Sequence, residues 1–137
     1  MADFTYVGQV QGLTTSTLKI MLTGTVEIGD FIGFDRAKAD ATDTQLAFLA
    51  LEAGDDGDEV LVMPVIAGMI FKGVADGDIA EAGTQVGLAV ATSTQVVDAT
   101  GATNLFFVSL DTVDVSETSD DSVRVMYVGA YHNDLDT

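Results

Sequence analysis

The chain has no cysteine and no tryptophan, and it holds only one proline and one histidine among its 137 residues. Without cysteine it can form no disulfide, no zinc–thiolate centre and no thiol nucleophile. With three tyrosines and no tryptophan, a surface that stacks sugar rings is poorly supplied. No apolar run approaches the roughly 18–20 residues that a membrane-spanning helix needs. The N-terminal segment Met1–Tyr6 is neither basic nor strongly hydrophobic, so we expect no secretion signal and no membrane partner.

Positive charge is also scarce. Lysine and arginine number five against 22 acidic residues, which gives a formal net charge of −17. The five cations are Lys19, Arg36, Lys38, Lys72 and Arg124. A negative field of this size repels phosphate backbones and anionic lipid headgroups, so we expect no nucleic-acid partner, whereas a basic protein surface would be attracted. Because 47 % of the residues are hydrophobic, the chain is expected to fold rather than to remain disordered.

The sequence contains no recognisable catalytic motif. It has no phosphate-binding loop ending in Gly-Lys-Ser/Thr, no Gly-x-Gly-x-x-Gly after a strand and no Gly-x-Ser-x-Gly elbow. The single histidine, His132, lies close to the C-terminus, where a general base rarely finds a rigid setting. We therefore expect no enzyme, with no catalytic residue, no cofactor and no metal ligand.

The chain does contain the same order of landmarks twice. Residues 27–65 carry Glu-Ile-Gly, Asp-Ala-Thr, the apolar run LAFLAL, an acidic stretch and VLVMPV. Residues 81–128 carry Glu-Ala-Gly, Asp-Ala-Thr, the run LFFVSL, a second acidic stretch and VRVMYV. Matching landmarks at similar spacing predict two tandem copies of one small β unit.

Hydrophobic periodicity supports strands rather than helices. Leu18, Ile20 and Leu22 alternate with other residues, as a half-buried strand requires. The runs LAFLAL and LFFVSL have the length of strands buried on both faces, and we expect them to be central. Pro64 predicts that its strand lies at a sheet edge or carries a bulge. Residues 36–45 lack an apolar stripe at helical spacing, so at most a short helical turn is expected there.

These patterns predict an all-β fold with little helix, a small β-barrel or sandwich built from two tandem pseudo-repeats. We divide the chain into an N-terminal arm and first strand (1–23), a first β unit (24–73), a connection (74–80), a second β unit (81–131) and a C-terminal tail (132–137).

The two acidic loops, residues 52–59 and 111–121, permit a calcium hypothesis, because flexible oxygen-rich loops suit this cation. Neither loop has the ligand spacing of an EF-hand, and solvated turns between strands have the same composition. Both interpretations stay open at the level of sequence.

Several segments resemble small capsid proteins of tailed bacteriophages. The sequence GDFIGF at residues 29–34, followed by ADAT and FLALEAGDDG, resembles the strand and hairpin of the small β-barrel capsid proteins. The C-terminal segments VSLDTVD, Val123–Gly129 and HNDL are similar to the end of phage head decoration proteins. The resemblance covers residues 24–137. The chain departs from the lambda-type decoration protein in lacking an Ala/Pro/Gly-rich N-terminal arm.

The resemblance implies a decoration, or cement, protein of a tailed bacteriophage. Such a protein is made in the host cytoplasm and binds as a homotrimer to the major capsid protein, on the outer surface of the mature icosahedral head. Two alternatives remain: another virion subunit, such as a tail-tube or head-completion protein, and a soluble ligand-binding β module.

Apolar residues that a barrel of this size cannot cover are expected at the capsid or subunit interface. The segment Ala2–Gln11 would be a capsid-contacting arm, or it would pair with an edge strand of its own barrel. The candidate interface residues are Phe4, Tyr6, Val7, Val10, Phe31, Phe34 and Tyr131.

Overall fold

The computed structural model describes residues 3–9, 16–43, 45–99, 104–116 and 121–129. Within these ranges the chain forms β-strands and no helix, which confirms the predicted all-β class. The described part of the chain therefore holds no helix long and apolar enough to cross a membrane. The strands are β1 (Thr5–Gln9), β2 (Leu18–Met21), β3 (Phe31–Ile32), β4 (Phe48–Ala50), β5 (Glu59–Pro64), β6 (Met69–Val74), β7 (Gln85–Ala91), β8 (Thr94–Asp98), β9 (Phe107–Ser109) and β10 (Ser122–Tyr127).

The strands form two antiparallel sheets. One sheet has six strands in the order β1-β6-β10-β9-β7-β8, and the other has four in the order β2-β5-β4-β3. Among the described residues no strand pairing joins the two sheets into a closed barrel. Two sheets that bury apolar faces against each other form a β-sandwich, so the sandwich is the observed form of the two that were predicted.

The main core lies between the sheets and is built around phenylalanine rings. Phe31 projects from the four-stranded sheet and meets Phe71 and Phe107 of the six-stranded sheet at ring-centroid distances of 5.0 and 5.6 Å. Phe4, which precedes β1, lies 4.6 Å from Phe31 by the same measure. Aromatic pairs at these separations contribute beyond their buried area. Aliphatic side chains of both sheets complete this core: Leu49, Met63, Val86, Leu88, Val97, Val123 and Val125.

A second, smaller core lies on the opposite face of the four-stranded sheet. Its buried members are Leu22, Val26, Ile32, Ala50, Val60 and Val62. Ile20 and Phe48 pack against it and are only partly buried. Both faces of this sheet are therefore apolar, which explains why its central run LAFLAL shows no alternation of polar and apolar residues.

The four-stranded sheet and four strands of the larger sheet have the same pairing. The order β2-β5-β4-β3 corresponds to β6-β10-β9-β7. Phe48 lies opposite Pro64 in the first set, and Phe107 lies opposite Tyr127 in the second. We call these two sets of strands the first unit and the second unit. Their descent from one ancestral copy stays a prediction.

Local hydrogen bonds also recur between the two units. Gly29 donates its N–H to the Ala50 carbonyl at 2.9 Å, and Gly83 donates to the Ser109 carbonyl at 2.8 Å. The two glycines have φ values of 89° and 91°. A side chain at such a φ is strained, so the Glu-x-Gly landmark of the sequence marks the same turn in each unit.

Two strands near the predicted boundaries pair with strands across those boundaries. β2 lies inside the predicted segment 1–23, the arm and first strand, and it pairs with β5 of the first unit. β6 spans the end of the predicted first unit (24–73) and the first residue of the predicted connection, and it pairs with β10 of the second unit. The predicted apolar runs do form central strands, since β4 and β9 each have two neighbours.

Two further predictions are corrected by the sheet order. β5 lies between β2 and β4, so the prediction of an edge position for the strand of Pro64 is wrong. Pro64 is tolerated because it is the last residue of β5 and because β2 begins at Leu18, opposite Val62. Residues Thr5–Gln9 pair with β6 at the edge of the six-stranded sheet. This part of the predicted arm is therefore a strand of the fold itself.

Candidate interaction surfaces

Phe4 and Phe31 are core residues. Their exposed fractions are 1 % and 0 %. The Phe4 N–H donates to the Gly29 carbonyl at 3.0 Å, and its ring lies over Gly73, where a Cβ atom would come within 2.4 Å of a ring carbon. Gly73 thus makes room for the ring that fastens the N-terminal segment to the sandwich. The prediction that Phe4 and Phe31 lie at an interface is wrong, because this chain encloses both side chains itself.

The other candidate interface residues differ in their exposure. Tyr6 is half-buried, and its ring packs edge-on against Phe71 at 5.9 Å. Val7 is 48 % exposed and Phe34 is 68 % exposed, so both remain available for contact. Val10 and Tyr131 lie outside the described residues.

Gln95 in β8 joins the two sheets through its side-chain amide, a role that sequence analysis did not find. The amide oxygen accepts the N–H of Phe31 at 2.7 Å. The amide nitrogen donates to the carbonyls of Phe31 and Ala39, both at 2.9 Å. The side chain is 1 % exposed, so these bonds are shielded from water. The only sequence signal was an amide directly before two valines in the strand TQVVD.

A charged cluster lies beside this amide. The Nζ atom of Lys38 is 3.5 Å from Oδ2 of Asp30 and 3.8 Å from Oδ2 of Asp3. Asp30 is 0 % exposed and accepts the Glu27 N–H at 2.9 Å. Burial, and after it the hydrogen bond with the Asp3 carboxyl, raise the pKa of Asp30 from 3.8 to about 7, although the Glu27 N–H and the charge of Lys38 act to lower it. Lys38 also donates to the Ser93 carbonyl. The cluster ties the N-terminal segment to a loop of the first unit and to the β7–β8 hairpin.

The carboxylates of the two acidic loops cap local backbone groups. Glu52 accepts the Leu61 N–H at 2.8 Å. At the matching place in the second unit, Asp111 accepts the Arg124 N–H at 3.0 Å and pairs with the guanidinium at 2.7 Å. Among the described residues no group of three or more His, Cys, Asp or Glu side chains could hold a metal ion. Residues 117–120 of the second loop lie outside the described ranges.

Two sheet faces present partly exposed apolar side chains. Residues that lie opposite each other in neighbouring strands have their side chains on the same face. One such face belongs to the first unit and surrounds the smaller core; Leu18 there is 40 % exposed, and its neighbours are half-buried. We call this the first-unit outer face, formed by Leu18, Ile20, Phe48 and Pro64.

The second face belongs to the six-stranded sheet and points away from the main core. Met126 lies opposite both Ile70 and Val108, and these side chains are half-buried. Lys72 and Arg124 are exposed directly opposite each other on the same face. Two of the five cations in the sequence therefore lie beside an apolar patch. We call this the second-unit outer face, formed by Ile70, Lys72, Gln85, Val108, Arg124 and Met126.

No protein-family model matches the chain, and a search of curated proteins finds no match. Among solved structures, the fold is similar to the head fiber gp8.5 N base in bacteriophage phi29, with a TM-score of 0.52. The similarity covers 83 % of this chain and 94 % of that chain. Since the two sequences are 14 % identical, the likeness is one of fold.

Proposed function

We propose that the protein decorates the head of a tailed bacteriophage. In this proposal a homotrimer binds the major capsid protein on the outer surface of the mature icosahedral head and stabilises it. The observation that carries the proposal is the fold likeness to the phi29 head fiber base, which extends over 94 % of that chain. The resemblance of the sequence to decoration proteins supports the same assignment.

The role needs binding and no chemistry. A protein that binds only the expanded lattice shifts the stability of that lattice by mass action. Many copies on a symmetric shell add their small contributions, and each trimer gains avidity by engaging several capsid subunits at once. The proposal accordingly assigns no catalytic step, no cofactor and no nucleic-acid or membrane partner to this chain.

Charge restricts how such a protein can attach. With a formal charge of −17, the protein either meets a basic capsid surface or keeps its carboxylates directed to solvent. We expect the second arrangement for two reasons. Carboxylates in both acidic loops accept backbone N–H groups of their own chain, and apolar side chains elsewhere on the protein remain exposed. Sodium chloride should then leave attachment unchanged or strengthen it, since salt screens the repulsion between like charges. Release of the protein from heads at high salt but not at low salt would contradict this arrangement.

Among the predicted contact residues that the structure describes, Val7 and Phe34 have exposed side chains. Replacing Phe34 by serine should weaken attachment to heads by about tenfold or more if its ring is desolvated on the capsid. Ile66→Ser is the matched control, since Ile66 is also an exposed apolar residue, at 42 %. Equal binding of the two variants would remove Phe34 from the contact.

The deciding experiment uses heads of the source phage from which this protein has been deleted. Purified protein is added to mature heads and to unexpanded precursor heads, and binding is followed by co-sedimentation and cryo-electron microscopy. We expect saturable binding to mature heads, density outside the lattice and a higher temperature of head disruption. Density in a tail or neck would identify another virion subunit instead. Absence of the protein from virions and from reconstituted heads would favour the soluble β module.

A further inference from the structure

Equivalent positions of the two units differ in burial on one face. Leu18 lies opposite Val62 in the first unit, as Phe71 lies opposite Val125 in the second. Leu18 is 40 % exposed, whereas Phe71 is 0 % exposed. Phe48 and Pro64 are likewise half-buried, whereas their counterparts Phe107 and Tyr127 are 0 % and 6 % exposed. The first-unit outer face is thus the counterpart of a face that is fully covered in the second unit.

The opposite faces show the reverse difference. Phe31, Leu49 and Met63 of the first unit are between 0 % and 5 % exposed. Their counterparts in the second unit are Gln85, Val108 and Met126, which are half-buried. The second-unit outer face is thus the counterpart of a face that is buried in the first unit.

The structure shows what covers each of these faces inside the chain. Phe31 of the first unit packs against Phe71 and Phe107 of the second unit, with centroid distances of 5.0 and 5.6 Å. The face of the first unit that carries Phe31 therefore covers the face of the second unit that carries Phe71 and Phe107. The first unit leaves its counterpart of the Phe71 face partly exposed, and the second unit leaves its counterpart of the Phe31 face partly exposed. These two exposed faces are therefore of the same two kinds that pack together inside the chain.

We propose that copies of this chain associate head to tail by repeating this internal contact. The second-unit outer face of one copy packs on the first-unit outer face of the next copy. The contact is heterologous, so it closes into a ring or continues as a filament. A closed ring of three copies is the form that fits the proposed homotrimer. The inference rests on the part of the proposed function that concerns self-association and does not depend on capsid binding.

The charges of the two faces are complementary. Lys72 and Arg124 are exposed on the second-unit outer face. The loop of Asp55, Asp56 and Asp58 borders the first-unit outer face, because a Cβ on Gly54 in this loop would touch the side chains of Val60 and Leu22 in the smaller core. Arg124 is already paired with Asp111 of its own chain, so Lys72 is the cation that a head-to-tail contact brings towards an acidic loop of the next copy, which favours it over a contact between two identical faces.

Cysteine cross-linking tests the geometry directly, since the chain has no cysteine of its own. The counterparts of Phe31 and Phe71 are Gln85 and Leu18, so these two positions should meet across the contact. The full-length double variant Leu18→Cys with Gln85→Cys should form disulfide-linked oligomers under mild oxidation. Each single variant, and the control pair Leu18→Cys with Ile66→Cys, should remain uncross-linked. Cross-linking of a single variant would indicate a symmetric contact and overturn the proposal, as would a double variant that stays monomeric.

Sedimentation velocity provides a second measurement on the full chain. Leu18→Glu should raise the dissociation constant of self-association at least tenfold. Val90→Glu should not, although Val90 is also 40 % exposed on a strand. Circular dichroism melting establishes that both variants fold. Equal effects of the two substitutions, or a wild-type protein that is monomeric alone and on heads, would overturn the proposal. Oligomers that assemble as described but do not bind heads would contradict the proposed function and leave this inference intact.

Discussion

Replacing Gln95 by methionine should strongly destabilise the protein, although it changes no charge and little volume. The substitution removes three hydrogen bonds between β8 and the first unit. The Phe31 carbonyl keeps a bond from the Ala39 N–H at 2.9 Å, so two groups lose their partner, the Phe31 N–H and the Ala39 carbonyl. A buried polar group without a partner costs about 1–3 kcal/mol, so the loss of two partners should lower the free energy of unfolding by about 2–6 kcal/mol. This loss is a large share of the roughly 5–15 kcal/mol that stabilises a domain.

Equilibrium urea unfolding of wild type and variant measures this difference. Gln45→Met is the matched control, because Gln45 is exposed and the same substitution there should change the free energy of unfolding by less than about 0.5 kcal/mol. The slope of the unfolding free energy against urea should stay the same, so that the change lies in the midpoint. A loss below about 1 kcal/mol at Gln95 would refute the reasoning, since it would mean that the two backbone groups find other partners.

Three further predictions concern stability. Phe107→Ala should cost about 3–5 kcal/mol, whereas Phe48→Ala at the equivalent half-buried position should cost less than about 2 kcal/mol; equal losses in urea unfolding would contradict the difference in burial. Asp30 has a pKa of about 7 in the folded state against 3.8 ordinarily. Between pH 3.8 and about pH 7 the folded state therefore holds a proton that the unfolded state has lost, and the free energy of unfolding falls as the pH rises through this range. Asp30→Asn should therefore gain about 2–3 kcal/mol relative to wild type between pH 5 and pH 8, and a constant difference across this range would exclude the shifted carboxyl. Gly73→Ala should cost about 1–3 kcal/mol by displacing the buried N-terminal phenyl ring. Gly8→Ala has open space and serves as its control; similar melting temperatures for the two variants would argue against the clash.

Local patterns in the sequence were enough to predict the all-β class of the fold and its two central strands, whereas the tandem repeat stays a prediction. Alternating and continuous apolar runs identified β4 and β9 as central strands, because a strand of this length shows its burial in its own residues. The repeated landmarks predict Phe48 and Phe107 at equivalent buried positions. The observed register agrees, but Phe107 is buried and Phe48 is only half-buried, so the predicted burial of Phe48 is wrong. The recurring Glu-x-Gly pattern marked two turns whose positive φ values favour glycine.

Burial of individual side chains depended on contacts that no local pattern contains. Phe4 and Phe31 were predicted at an interface and lie in the core, because Gly73 leaves room for one ring and the second unit covers the other. The predicted boundary after residue 73 also separated most of β6 from β10, with which β6 pairs, since a strand carries no local mark of its partner.

The amino-acid sequence by itself determined that the chain forms strands, which apolar runs become central strands and that the protein carries a large negative charge. These properties follow from side-chain periodicity and composition, which act over a few residues or over the whole chain. Only the tertiary structure decided which face of each unit is covered. The two units have the same pairing, yet one packs its Phe31 face inward and the other leaves the equivalent face half-exposed. Burial is a property of the contact between units, and that contact joins residues far apart in the chain.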